Sequence, residues 1–148
     1  LWVRGTSVML GYYQMPEETE EALTDGWLRT GDLGYVDEDG FVFLTGRKKN
    51  LIILKNGENV SPEELENELG KSPLVQEVLV REKESVIEAE IFPDLEYAKK
   101  KHIKEIPQRL QEVIDEYNKG LPAYKRIHGL KVREEEFEKT PSKKIKRY

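Results

Sequence analysis

Asp32 and Arg47 are the first side chains in this sequence whose type and setting suit chemistry. Asp32 follows Thr30-Gly31 at a tight turn. A carboxylate there can accept two hydroxyl groups at once, which suits the 2′,3′-diol of a ribose. Arg47 stands just after a predicted strand, and its planar fork of donors could reach the same diol. From residue type alone, an Asp turn cap and a surface Arg are the better account. Farther on, Lys144 sits in the basic run Thr140-Pro141-Ser142-Lys143-Lys144-Ile145-Lys146-Arg147. Lysine is a compact point charge, but a solvated tail is the commonest meaning of such a run. His102 and His128 have no second histidine or cysteine at ligand spacing. Both read as surface or packing residues, and no metal site is expected. Asp37-Glu38-Asp39-Gly40 reads as a turn, because a calcium loop spreads its ligands over about twelve residues. Asn59-Val60-Ser61 matches a glycosylation sequon and is treated as chance. Trp2, Tyr12, Tyr13 and Trp27 are expected in a core rather than stacked on bases.

Short β segments dominate up to residue 48. Residues 1–8 read as a strand end leading into Gly11, and Pro16 opens a short acidic helix to Leu23 with carboxylates near its positive end. Asp25-Gly26 turns the chain into a strand over 27–29. Strands over 33–36 and 41–44 form a hairpin about 37–40. A turn is expected at Gly46-Arg47-Lys48-Lys49, then a hairpin over 51–54 and 58–60 closed on Asn56-Gly57. Ser61-Pro62-Glu63-Glu64 is a capping box with Pro at the first helical position. Its helix puts Leu65 and Leu69 on one face and stops at Gly70. Strands follow over 75–81 and 85–92. In the second, Ile87, Ala89 and Ile91 face one way and Glu88 and Glu90 the other, as in a half-solvated antiparallel strand. A short helix over 94–102 comes next. A longer helix from Pro107 to near Gly120 carries Leu110, Val113, Ile114 and Tyr117 at helical spacing. A last strand over 130–133 leads into an exposed Glu/Lys stretch. The fold class is therefore α+β. A β-rich segment over 1–48, taken as the end of a larger N-terminal domain, precedes a small domain over 49–148 of antiparallel strands flanked by helices.

With 36% charged and 37% hydrophobic residues, the composition is that of a soluble globular chain. No apolar run approaches the ~20 residues of a membrane span, and no signal peptide begins the chain. The lack of cysteine excludes disulfides and thiolate zinc sites. A net charge of -5 argues against nucleic acid as the partner.

Four strings, in order, change the weight of the individual residues. Residues 1–13 (LWVRGTSVMLGYY), 26–34 (GWLRTGDLG), 46–66 and 140–147 (TPSKKIKR) together resemble the adenylate-forming superfamily of acyl-CoA synthetases, adenylation domains and luciferases. The chain is most similar to the long-chain fatty acid–CoA ligase branch. The pointer to that branch is an NGEN hairpin that puts Gly57 one residue further from Arg47 than in many aryl-CoA ligases. The family's phosphate loop and acyl pocket would lie before Leu1, so the chain reads as the C-terminal part of a larger enzyme and is expected to be inactive alone.

The resemblance implies a role for each position. Asp32 and Arg47 would bind the ribose of ATP or AMP. Lys49 would be the hinge about which a C-terminal domain rotates between two half-reactions. Asn56, Gly57 and Glu58 would line the channel for the pantetheine arm, where Gly57 lets backbone approach. Lys144 would be the catalytic cation that offsets repulsion as a carboxylate attacks the α-phosphate. Lys143 stands where the family usually has glycine, but Thr140, Ile145 and Arg147 align only when Lys144 is the catalytic residue. ATP, Mg2+ and CoA are the implied cofactors of the full-length enzyme, with none expected on this chain by itself. Its partners would be the N-terminal domain of the same protein and small-molecule substrates, in the cytoplasm or at a membrane surface. Two alternatives stay open: transfer of the acyl group to a carrier-protein phosphopantetheine, and a non-catalytic α+β interaction module. A degenerate module of that kind should have lost Asp32, Arg47 or Lys144.

Overall fold

The computed structural model describes residues 1–147. The chain divides into two units, Leu1–Leu51 and a second that begins at Ile52.

In the first unit, Pro at the first turn starts α1 (Pro16–Ala22). Asp25 and Gly26, with φ of 49° and 78°, then form the two-residue turn that the strand twist favours. It joins β2 (Leu23–Thr24) to β3 (Trp27–Arg29), and β1 (Trp2–Val3) pairs on the other side of β3. The expected strand over 1–8 is thus only two residues long, because β3 offers a ladder of just three. A separate hairpin pairs β4 (Asp32–Val36) with β5 (Val42–Arg47). The Asp37 carboxylate closes it by accepting the amides of Asp39 and Phe41, at 3.0 and 2.8 Å. Gly34 sits at a bulge where a Cβ would come within 2.3 Å of the Phe43 carbonyl oxygen, so only glycine fits. None of the residues in this unit is buried. Trp2, Tyr12, Tyr13 and Trp27 therefore do not form the expected core: Trp2 is 52% and Tyr13 87% exposed. Sheets of two or three short strands bury an apolar face only against another layer. Arg29 stacks over Trp2 and Arg4 over Trp27 instead.

Packing is concentrated in the second unit. Hairpin β6 (Ile52–Ile53) and β7 (Asn59–Val60) leads into α2 (Pro62–Leu69). Strands β8 (Val75–Lys83) and β9 (Val86–Pro93) follow, then α3 (Leu95–Lys100), α4 (Ile106–Lys119) and β10 (Ile127–Val132). The sheet order is β10-β9-β8. Leu65 and Leu69 from α2, Leu110 and Ile114 from α4, and Val80, Ile87, Ala89, Ile91 and Ile127 from the sheet fill the core. The fold is α+β. Three details differ from expectation. First, β10 runs parallel to β9, not antiparallel, since the crossover through α3 and α4 returns the chain in the same direction. Second, Ser61 makes no side-chain cap on α2, and Glu64, the far end of the expected capping box, pairs with Lys125 at 3.0 Å. Third, the polar face of β9 is not half-solvated at Glu90, which is 2% exposed. Arg81, Lys131 and Arg133 reach its carboxylate at 2.6, 2.8 and 2.7 Å. Burial raises its pKa, but those hydrogen bonds and charges outweigh burial and hold it below the ordinary carboxylate value.

Candidate functional site

Asp32 and Arg47 are direct partners across the β4–β5 ladder. Arg47 Nε donates to Asp32 Oδ1 at 2.9 Å, with the side chains 25% (Asp32) and 48% (Arg47) exposed. Arg47 Nη1 also donates to the Thr30 carbonyl at 3.1 Å, and the Lys48 amide to that of Gly31 at 2.9 Å. A carboxylate and a guanidinium are thus held side by side at the open end of a hairpin. This set of acceptors and donors fits the two hydroxyls of a ribose.

The turn expected over 46–49 falls later, because Gly46 and Arg47 still belong to β5. Lys48–Asn50 forms a single 3-10 turn, with Lys49 exposed at its middle. The boundary between the two units follows directly at Leu51.

In the second unit, the Asn56-Gly57 hairpin closes between residues 54 and 58, as the expected strand bounds place it. The Gly57 amide donates to the Leu54 carbonyl at 2.8 Å and the Leu54 amide to that of Glu58 at 2.9 Å. This is a three-residue loop, Lys55-Asn56-Gly57, with Gly57 left-handed at φ 84°. Asn56 Oδ1 accepts the Glu58 amide at 3.1 Å.

Lys144 closes a hairpin of the same form. The Lys143 amide donates to the Thr140 carbonyl at 2.8 Å, and the Thr140 amide to that of Lys144 at 2.7 Å. Lys143 has φ 61°, which is the conformation glycine favours. A glycine, which the resemblance leads one to expect at this position, would suit that backbone. The basic run is not a solvated tail. Lys139 pairs with Glu77 at 2.5 Å, Lys146 with Glu138 at 3.2 Å, and Arg147 with Glu66 at 2.5 Å. Phe137 packs on Leu79 and Phe92, with Ile145 against them. Among the described residues, Lys143 and Lys144 are exposed and make no ion pair. The hairpin is fastened by its neighbours, and its tip offers a cation.

Asp32, Arg47 and Lys49 belong to the first unit, and Asn56, Gly57, Glu58 and Lys144 to the second. No local signal in the sequence marks Glu66 or Glu77, whose partners lie 81 and 60 positions away. Among the described residues, no three acidic or histidine side chains gather in a way that could hold a metal ion.

The sequence profile of the AMP-binding enzyme C-terminal domain matches residues 49–148. The chain belongs to that family, the C-terminal domains of adenylate-forming enzymes. Over 80 residues it is 51% identical to the long-chain-fatty-acid–CoA ligase FadD15 of Mycobacterium tuberculosis, which covers 54% of this chain and 13% of that protein. Over 76 residues it is 55% identical to the sulfoacetate–CoA ligase of Cupriavidus necator, covering 51% and 15%. The structure of o-succinylbenzoate–CoA synthetase from Bacillus subtilis, in complex with its acyl-adenylate intermediate, is similar at a TM-score of 0.78 and 30% identity. That likeness covers 97% of this chain and 28% of the other. The chain spans less than a third of the length of each of these proteins.

Proposed function

We propose that this chain is the hinge and mobile-domain portion of an ATP-dependent acid–thiol ligase. That enzyme joins a carboxylic acid to AMP, releases pyrophosphate, and passes the acyl group to CoA with release of AMP. The observation that carries the reading is Lys144, an exposed cation that makes no ion pair among the described residues and closes the loop of a docked hairpin. A compact charge held there stabilises the α-phosphate as a carboxylate approaches it, and its worth lies in being in place before the reaction. Asp32 and Arg47 orient the nucleotide through its ribose hydroxyls. Lys49 is the hinge, so the moving part begins with it and residues 1–48 stay with the larger N-terminal domain. The loop of Asn56, Gly57 and Glu58 receives the pantetheine arm, with Gly57 giving its backbone a close approach.

A long-chain fatty acid is the finer reading, supported by the NGEN hairpin and the similarity to FadD15. Similarity extends as well to ligases named for sulfoacetate and o-succinylbenzoate, so the acid is decided by assay. The test is an assay of the full-length enzyme with ATP, CoA and acids of graded chain length. Release of AMP and pyrophosphate with acyl-CoA, fastest for long chains, is expected. Release of ADP and phosphate would overturn the reading, and a preference for a short or aromatic acid would overturn its finer part.

A further inference from the structure

The hairpin that presents Lys144 is fastened from outside at both legs, by two carboxylates far away in sequence. On the first leg, Glu77 of β8 accepts the Phe137 amide at 2.9 Å and pairs with Lys139 at 2.5 Å. On the second, Glu66 of α2 accepts from both terminal nitrogens of Arg147, Nη1 and Nη2, at 3.0 and 2.5 Å. Glu66 also accepts the Val80 amide at 2.7 Å, so one carboxylate joins α2, β8 and the tail. Both acids are largely buried, with side chains 13% (Glu66) and 10% (Glu77) exposed. Fork-to-carboxylate contacts of that kind fix direction as well as distance. Helix α2 follows the Asn56–Gly57 loop after β7, and so the same contact ties both functional loops to one body.

We propose that Glu66 and Glu77 are positioning residues for Lys144, holding the two legs of its hairpin so that the ammonium arrives at one place. This rests on the reading of Lys144 as the adenylation cation. Both acids bond to groups of the protein itself and would act through the hairpin. Losing either should blur the position of Lys144 and leave the thiol-transfer step intact, because that step uses the other loop. Glu66 faces Arg147, Glu63 and the Val80 amide. Burial pushes its pKa up against the pull of Arg147, so protonation on acidification would release the tail earlier than for an ordinary carboxylate.

Amide hydrogen exchange on this 148-residue chain and half-reactions of the full-length enzyme test the proposal together. In Glu66→Gln, exchange of the Thr140 amide should speed at least tenfold while Ala89 and Ile91 stay protected. In the enzyme, Glu66→Gln and Glu77→Gln should each slow acyl-AMP formation about tenfold, a loss typical of one coupled contact. Transfer from supplied acyl-AMP to CoA should be unchanged. Arg147→Met breaks the same contact from the tail and spares the bond to Val80. It should match Glu66→Gln, and the double variant should be no worse than either. Unchanged Thr140 exchange overturns the proposal. So does faster exchange with full acyl-AMP formation in an enzyme where Lys144→Ala abolishes it. If Lys144→Ala itself leaves acyl-AMP formation intact, the reading of Lys144 fails and the positioning role falls with it.

Discussion

At the scale of single residues, two hairpin loops share one backbone and differ in the residue that takes the left-handed position. Gly57 holds it in one, and Lys143, at φ 61°, in the other. A side chain there costs about 1–2 kcal/mol that glycine avoids, while glycine gives back part of the gain through its freedom in the unfolded chain. Lys143→Gly should therefore raise the stability of this chain by less than ~1 kcal/mol. Chemical denaturation checks it, and a loss of stability would show that the Lys143 side chain makes contacts of its own. Asn56-Gly57 told where a hairpin lay, and the strand bounds on either side left the three residues that the structure puts in its loop. Lys144 was legible as a candidate. Its ordered setting was not, because Glu66 lies 81 positions from Arg147 and Glu77 60 from Phe137.

Among the elements, β9 departs furthest from its pattern. Alternation gave its inner face correctly, and its outer face holds Glu90 beneath three cations. Because the folded pKa of Glu90 lies below its ordinary value of 4.5, the group favours folding when ionised. That contribution is complete above pH 4.5 and is lost as pH falls through the folded value. Glu90→Gln should cost about 2 kcal/mol near neutrality, as for a hydrogen bond to a charge, with the gap to wild type closing in acid. Equal stability at pH 7 would contradict it. The 3-10 turn Lys48–Asn50 was legible only as a turn, since basic residues do not announce a helical pitch. Proline at 49 drives Lys48 towards extended backbone, against that turn. In the full-length enzyme, Lys49→Pro should impair one half-reaction at least tenfold, and transfer to CoA is the half expected to fail. Lys49→Ala should spare both, and equal damage from the two would return Lys49 to an ordinary surface role.

For the molecule as a whole, the two units differ in how much they bury. The first has no buried residue and the second holds the core. Amides in β4 and β5 should thus exchange faster than those in β8 and β9, and the reverse order would contradict this division. The α+β class could be read from alternating elements, but the parallel β10 could not, because direction is set by a crossover and not by any local run. The central claim is that Lys144 serves the first half-reaction alone. Half-reaction rates of Lys144→Ala in the full-length enzyme measure it directly. Acyl-AMP formation should fall about 10²–10³-fold, the usual effect of removing one preorganised charge from a reacting site. Supplied acyl-AMP should still give acyl-CoA near the wild-type rate. An equal fall in both halves would make Lys144 a structural residue and contradict the account.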